Sequence, residues 1–180
     1  MKASSKKAVI IYGPPGSGKG TQAELLAKNY NFIHFDTGHY LEDFFRNIHN
    51  LKKSEIFREK KLFDSGILNT PSWVLKIVSE ATRRIASAGY GIVFSGSPRT
   101  LLEAFGDEKH KGLLAILSKL YDRRNIFVIR LNVRDETSIK RNTNRLICSV
   151  CGLPILARSK IKQCSFCAGP SRRRTLDAPS

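Results

Sequence analysis

Gly13-Pro14-Pro15-Gly16-Ser17-Gly18-Lys19-Gly20-Thr21 is the stretch on which the fold of this 180-residue chain turns. Just before it, Ala8 to Tyr12 is a short apolar, β-branched run, the pattern of a buried parallel strand. Just after it, Lys19 to Tyr30 places Ala23, Leu26, Ala27 and Tyr30 at the spacing of one helical face, with Asn31 suited to its end. A glycine motif between a strand and a helix is a far stronger signal than the same glycines alone. Glycines let backbone N–H groups curl around phosphate oxygens, the helix N-terminus adds partial positive charge, and a lysine at the helix entry reaches the outer phosphates. The segment therefore reads as an anion cradle with Lys19 as its charged arm.

Working outward, Phe32 to Phe35 is expected to be a second strand, with helices over Thr37 to Ile48 and Ser54 to Phe63, the latter broken by Asp64-Ser65-Gly66. Thr70-Pro71 predicts an N-cap followed by proline in the first turn of a helix that runs to about Ala88, where Gly89 stops it. Gly91 to Ser95 and Asn125 to Leu131 are two more predicted strands. Leu101 to Tyr121 is predicted helical with an interruption near Gly106, and Asp135 to Arg145 forms one more helix. Strands that alternate with helices imply right-handed βαβ units, hence an α/β fold: a mostly parallel sheet with helices on both faces and ligands at the strand C-terminal ends. From Cys148 to Ser180 the character changes to cysteines, prolines and glycines, which predicts a separate small element.

Apolar residues form 41% of the chain and charged residues 26%, which excludes a disordered or collagenous class. No apolar run approaches the ~20 residues of a membrane helix. The polar start, Met1 to Lys7, lacks the apolar middle of a secretory signal, so a cytoplasmic location is expected. Lysine and arginine number 31 against 15 acidic residues, and a net charge of +16 calls for an anionic partner, either nucleic acid or a small polyphosphate. Charge alone leaves both open. Arg172 to Arg174 by themselves read as a solvated basic segment.

Two further patterns carry chemistry. Arg141 and Arg145 stand four apart, so on a helix they project from one face and are able to converge on one polyphosphate. Cys148-x-x-Cys151 and Cys164-x-x-Cys167 contain every cysteine in the chain, and paired knuckles of this kind place four thiolates tetrahedrally, as structural zinc requires. Disulfides are the alternative, disfavoured by a cytoplasmic compartment.

Glycine directly after Lys19 departs from the Ser or Thr usual in a Walker A loop, with Thr21 one place late. In this the loop resembles that of the adenylate kinase family. Asp36-Thr37-Gly38, Gly66-Ile67-Leu68-Asn69-Thr70, Gly96-Ser97-Pro98-Arg99-Thr100 and the helix from Asp135 to Arg145 resemble further family motifs, in the family's order. The resemblance implies ATP on Gly13, Pro14, Pro15, Gly16, Ser17, Gly18, Lys19, Gly20 and Thr21 with Arg141 and a lid arginine, Arg174. It implies a nucleoside monophosphate on Thr37, Gly38, Leu68, Asn69, Gly96, Arg99 and Glu103, with Lys19, Arg99, Arg141 and Arg145 catalytic. It further implies magnesium with ATP, a zinc lid on Cys148, Cys151, Cys164 and Cys167, and the reaction ATP + NMP ⇌ ADP + NDP. The expected organisation is a core of residues 1–35 and 70–145, a monophosphate-binding helical segment of 36–69, a lid of 146–177 and a terminus of 178–180, in a monomer.

Departures from the family pattern are also legible. Ser95 and His39 stand where the family carries aspartates that order water around magnesium, with Asp36 nearby. Glu42 replaces an arginine, and Arg46 follows one turn later. Glu103 replaces the glutamine that reads adenine; a carboxylate only accepts hydrogen bonds, which suits a base offering two donors and predicts altered or relaxed base choice. The family continues past the lid with a helix, a fifth strand and a final helix, so an uncovered sheet edge is expected. A nucleotide-binding relative without catalysis and a basic zinc-ribbon nucleic-acid binder are the alternatives; against the latter, only Phe166 stands near the clasp as an aromatic for base stacking.

Overall fold

The structure is a computed structural model that describes residues 6–47, 54–144, 146–150, 154–155, 163–164 and 167–173. It parts into two compact units: Met1–Tyr12 with Gly18–Leu131, and Gly13–Ser17 with Asn132–Ser180. Arg145, Cys151 and Arg174, all named above as site residues, lie outside the described residues, as does Phe166.

The first unit is built on strands β1 (Ala8–Tyr12), β2 (Phe32–Phe35), β3 (Gly91–Phe94) and β4 (Ile126–Arg130) in the order β2-β3-β1-β4, every pair parallel. Period-two alternation sorts β1 between two apolar layers. Ala8 and Ile10 join Ile92 and Phe94 against α2 (Thr37–Asn47), α4 (Pro71–Ser87) and α6 (Leu113–Tyr121); Val9 and Ile11 join Val93 and Ala23 of α1 (Lys19–Tyr30) on the other face. This is the expected α/β arrangement. Phe127, Val128 and Ile129 of the edge strand β4 are exposed.

Helix limits follow local chemistry. Asn31 takes the left-handed conformation that ends α1 (φ 56°). α3 (Ser54–Asp64) closes at Gly66 (φ 73°), whose N–H donates to Phe63 O while Ile67 N–H donates to Leu62 O, the paired bonds of a Schellman stop. The interruption foreseen near Gly106 separates α5 (Leu101–Phe105) from α6. One expectation fails in its chemistry: Thr70 precedes α4 but makes no side-chain cap, because its hydroxyl donates to the buried carboxylate of Glu59 at 2.6 Å instead. A buried carboxylate is the stronger acceptor and needs the donor more.

In the second unit, α7 (Asp135–Thr143) is followed by a three-stranded antiparallel sheet, β6-β5-β7, of β5 (Leu146–Cys148), β6 (Pro154–Ile155) and β7 (Ser171–Arg173). The backbone of Arg172 and Arg173 pairs with that of Ile147 and Leu146. Among the described residues no helix is long and apolar enough to cross a membrane.

Candidate functional site

The glycine segment joins β1 to α1 through three residues with positive φ: Gly13 (153°), Gly16 (75°) and Gly18 (94°). Ser17 N–H closes a turn on Pro14 O at 3.2 Å. Gly18 is the N-cap of α1 and supplies no capping side chain, and the first turn carries no acid. Lys19, Gly20 and Thr21 thus stand ahead of the first helical bond, from Gln22 N–H to Gly18 O at 3.0 Å, where backbone donors face away from the helix body. The hydroxyl of Ser17 is buried without a hydrogen-bond partner among the described residues. A buried orphan hydroxyl in a glycine turn fits an oxyanion ligand.

Within the second unit the glycine segment is bound to α7. Ser138 Oγ–H donates to the carbonyl of Pro15. Gly16 packs so closely on the helix that a Cβ there would meet Ser138 O at 2.6 Å and Arg141 Cβ at 3.3 Å. The contact sets Arg141 one helical turn beyond the Ser138 anchor. Ser138 is not among the site residues expected from sequence. Its only sequence signal is its position three residues before Arg141.

The first unit assembles most of the residues expected on the monophosphate side. Asp36 accepts from Gly38 N–H (2.9 Å) and His39 N–H (3.3 Å) through one oxygen, capping α2. Thr37 Oγ1 and Ser97 Oγ share a buried hydrogen bond of 2.7 Å, and a Cβ at Gly96 would stand 3.1 Å from Thr37 N. The Gly96–Arg99 turn therefore abuts the N-terminus of α2. Arg99 is exposed, and its Nε–H donates to Gly96 O at 2.8 Å, which holds the guanidinium over the turn.

Glu103 is buried, 4% exposed, and is the N3 residue of a capping arrangement on α5. Its N–H donates to Thr100 Oγ1 (3.1 Å) and its carboxylate accepts from Arg99 N–H (2.9 Å) and Thr100 Oγ1–H (3.5 Å). Burial raises its pKa above the ordinary carboxylate range, against the pull of Arg99, Thr100 and Ser97. Asn69 is also buried, its amide donating to Glu59 O at 2.7 Å and to Glu59 Oε2 at 3.2 Å, whereas Leu68 and Ile67 are exposed. The two polar side chains expected at the base are thus held in internal bonds.

His34 Nε2 and Ser95 Oγ lie 2.8 Å apart, a neutral pair where the family pattern has a carboxylate. Burial lowers the His34 pKa, opposed by the charges of Asp36 and Glu24. His39 faces Asp43 (3.4 Å) and Arg46 faces Glu42 (3.1 Å), each pair along the surface of α2.

In the second unit the Sγ atoms of Cys148, at the end of β5, and of Cys164 and Cys167 lie within 4.8 Å of one another. Cys148 and Cys167 are 3.5 Å apart, and these three cysteines are free thiols rather than a disulfide. Ligands at about 2.3 Å in a tetrahedron stand about 3.8 Å from each other, so the cluster fits zinc. Val150 N–H donates to Cys148 Sγ at 3.4 Å, and Cys164 is bracketed by bonds from its own N–H to Gly169 O (2.8 Å) and from Ala168 N–H to its carbonyl (2.9 Å). These are contacts that orient thiolates.

A family model described as "Adenylate kinase" matches residues 11–176. The adenylate kinase of Methanothrix thermoacetophila is 34% identical over 144 residues, which cover 80% of this chain and 61% of that protein. Those of Caldicellulosiruptor saccharolyticus and Magnetococcus marinus are each 32% identical over 173 residues, covering 94% of this chain and 75% and 76% of those proteins. The match runs from the end of β1 through α7 and past β7 rather than over the glycine loop alone, so the chain belongs to the adenylate kinase family of nucleoside monophosphate kinases, which are phosphotransferases.

Proposed function

We propose that this chain transfers the γ-phosphoryl group of ATP reversibly to a nucleoside monophosphate. The observation that carries the reading is the bonding of α7 to the glycine segment, through Ser138 to Pro15 and through Gly16, which ties Arg141 to the turn that would hold the triphosphate. In the reaction a monophosphate oxygen attacks the γ-phosphorus, the bond from that phosphorus to the β-bridging oxygen breaks, and ADP leaves. The protein contributes position and charge rather than covalent chemistry. Lys19 and the first-turn N–H groups of α1 stabilise the phosphates, with Thr21 nearby; Arg141, with Arg145 and Arg174, neutralises charge on the transferring group; Thr37, Gly38, Gly96 and Arg99 hold the monophosphate. Magnesium brought with ATP would offset the charge of the phosphates held by Lys19 and the first turn of α1.

Cys148, Cys164 and Cys167, with Cys151 as fourth ligand, would hold a structural zinc that fixes the lid. A cytoplasmic monomer acting on small nucleotides accords with this reading. Base choice is broad: Glu103 and Asn69 are engaged internally, and Leu68 and Ile67 offer apolar surface without hydrogen-bond selection. One observation favours a binding-only relative as the second reading. The Ser95 and His34 pair is uncharged, and Asp36 caps α2, so the aspartates at positions 95 and 39 have no evident replacement.

Coupled detection of ADP from ATP with AMP, GMP, CMP or UMP decides. The expected result is transfer to several monophosphates, with Lys19→Ala lowering turnover by about 10²-fold or more. Full activity in that variant removes the mechanism. Strict AMP preference removes the proposed base tolerance, and ATP binding without turnover selects the second reading.

A further inference from the structure

Glu59 is the most deeply buried acid among the described residues, 0% exposed, and nothing in the reaction requires it. It lies in the middle of α3, yet its partners sit ten and eleven residues further on, beyond the helix stop at Gly66. One carboxylate oxygen, Oε2, accepts from Thr70 N–H at 2.9 Å and from the Asn69 amide at 3.2 Å. The other, Oε1, accepts from Thr70 Oγ1–H at 2.6 Å and from the Arg58 guanidinium at 3.1 and 3.3 Å. Its own backbone carbonyl takes the Asn69 amide at 2.7 Å.

Everything between the helix stop and these anchors is short. Gly66, Ile67 and Leu68 are held at one end by the Schellman bonds to Leu62 and Phe63, and at the other by the carboxylate. The loop points its polar residue inward and leaves Ile67 and Leu68 outward, 54% and 55% exposed. A buried carboxylate is costly unless its lone pairs are filled, so the arrangement is close to all-or-none: Glu59 forces Asn69 and Thr70 into one conformation, and that conformation sets the outward pair. Burial alone would push the Glu59 pKa up, but the Thr70, Asn69 and Arg58 donors outweigh it and hold it below the usual range, in accord with an ionised clamp.

We infer that Glu59 is a positioning residue that fixes the Ile67–Leu68 roof over the monophosphate's base, acting on that substrate and not on ATP. The inference rests on the proposed kinase reading, since it is that reading which puts a base beneath the roof. Glu59→Gln keeps the size and one acceptor but turns an NH₂ toward groups that are themselves donors. Thr70→Val keeps shape and removes only the hydroxyl.

The test compares wild type with both variants, by calorimetry for AMP and for ATP, by steady-state kinetics, and by hydrogen exchange at the Thr70 amide; circular dichroism confirms folding. Glu59→Gln is expected to weaken AMP binding and raise its KM by about tenfold, with ATP affinity and kcat within about twofold, and to speed Thr70 exchange by a similar factor. Thr70→Val should follow in the same direction to a smaller extent. Unchanged AMP affinity, unchanged Thr70 exchange, or an equal loss for both nucleotides in folded variants overturns the inference and leaves the kinase reading standing. If wild type binds neither nucleotide, the kinase reading falls and takes the inference with it.

Discussion

Gly16→Ala is the sharpest perturbation available at the glycine segment. Gly16 has φ 75°, where a residue with a Cβ is disfavoured by about 1 to 2 kcal/mol. The added carbon would stand 2.6 Å from the carbonyl oxygen of Ser138, a backbone atom that no rotamer change can move, and 3.3 Å from Arg141 Cβ. Forcing one carbon into a packed contact costs a further ~1 to 3 kcal/mol. The sum is about 2 to 5 kcal/mol directed at the seating of α7 on the turn, or a factor of roughly 30 to 4,000. Gly16 belongs to neither apolar cluster of the parallel sheet, so that core is expected to survive. The expected outcome is a folded protein whose kcat/KM for ATP falls by about 10²-fold in a coupled ADP assay. Ser138→Ala, which deletes the bond to Pro15 and adds no bulk, should cost about 1 kcal/mol, near fivefold. Because both changes act on one contact, the double variant should lose less than the sum. A folded Gly16→Ala protein within threefold of wild type would refute the argument that this packing sets the arginine helix.

Chelation of the purified protein is expected to release one zinc per chain and to melt the small antiparallel sheet, read as loss of protection in hydrogen exchange over residues 146–150 and 167–173, while the parallel sheet keeps its protection; no zinc by atomic absorption would end the assignment. His34 has a lowered pKa, so its contribution to stability is complete above its unfolded value near 6.5 and is lost as the pH falls through the folded one. Urea unfolding between pH 8 and 5 should therefore show a steeper acid-side loss in wild type than in His34→Gln, and parallel curves would show that the ring is not the titrating group. Glu103→Gln keeps one acceptor for the α5 cap; it should remove the penalty for burying the charge above the raised pKa and leave the spread of monophosphate rates within about threefold, whereas a switch to strict AMP use would mean that the carboxylate reads the base after all.

What could be read from the chain beforehand was whatever local rules determine. Ala8 to Tyr12, the helix after the glycines and the left-handed stop at Asn31 are each set by residues within a few positions and stand as expected; of the face of α1, Ala23, Leu26 and Ala27 pack inward while Tyr30, at the helix end, is exposed. The alternation of strands and helices then left few topologies for the sheet. The small sheet around the cysteines was invisible because strands of two or three residues carry no periodicity. Thr100-Leu101-Leu102-Glu103 does carry a legible signal, the threonine and glutamate spacing of a capping box.

The harder misses share a physical cause. Thr70 makes no side-chain cap on α4, and Thr70, Asn69 and Ser138 bond to Glu59 and Pro15, partners chosen by tertiary packing rather than by neighbours in sequence. Small polar side chains make one or two short bonds, so a partner brought close by the fold redirects them completely, whereas an arginine or lysine with several donors keeps capacity for a ligand after its structural bonds are made. Arg99 shows the difference: it holds Gly96 O through Nε and still presents an exposed guanidinium. A charged arm at a motif therefore keeps donors for a ligand whatever the fold sets beside it. A threonine, asparagine or serine at the same motif is readable only as a polar position, and whether it touches substrate or holds the groups that do depends on which buried carboxylate or carbonyl the fold sets beside it.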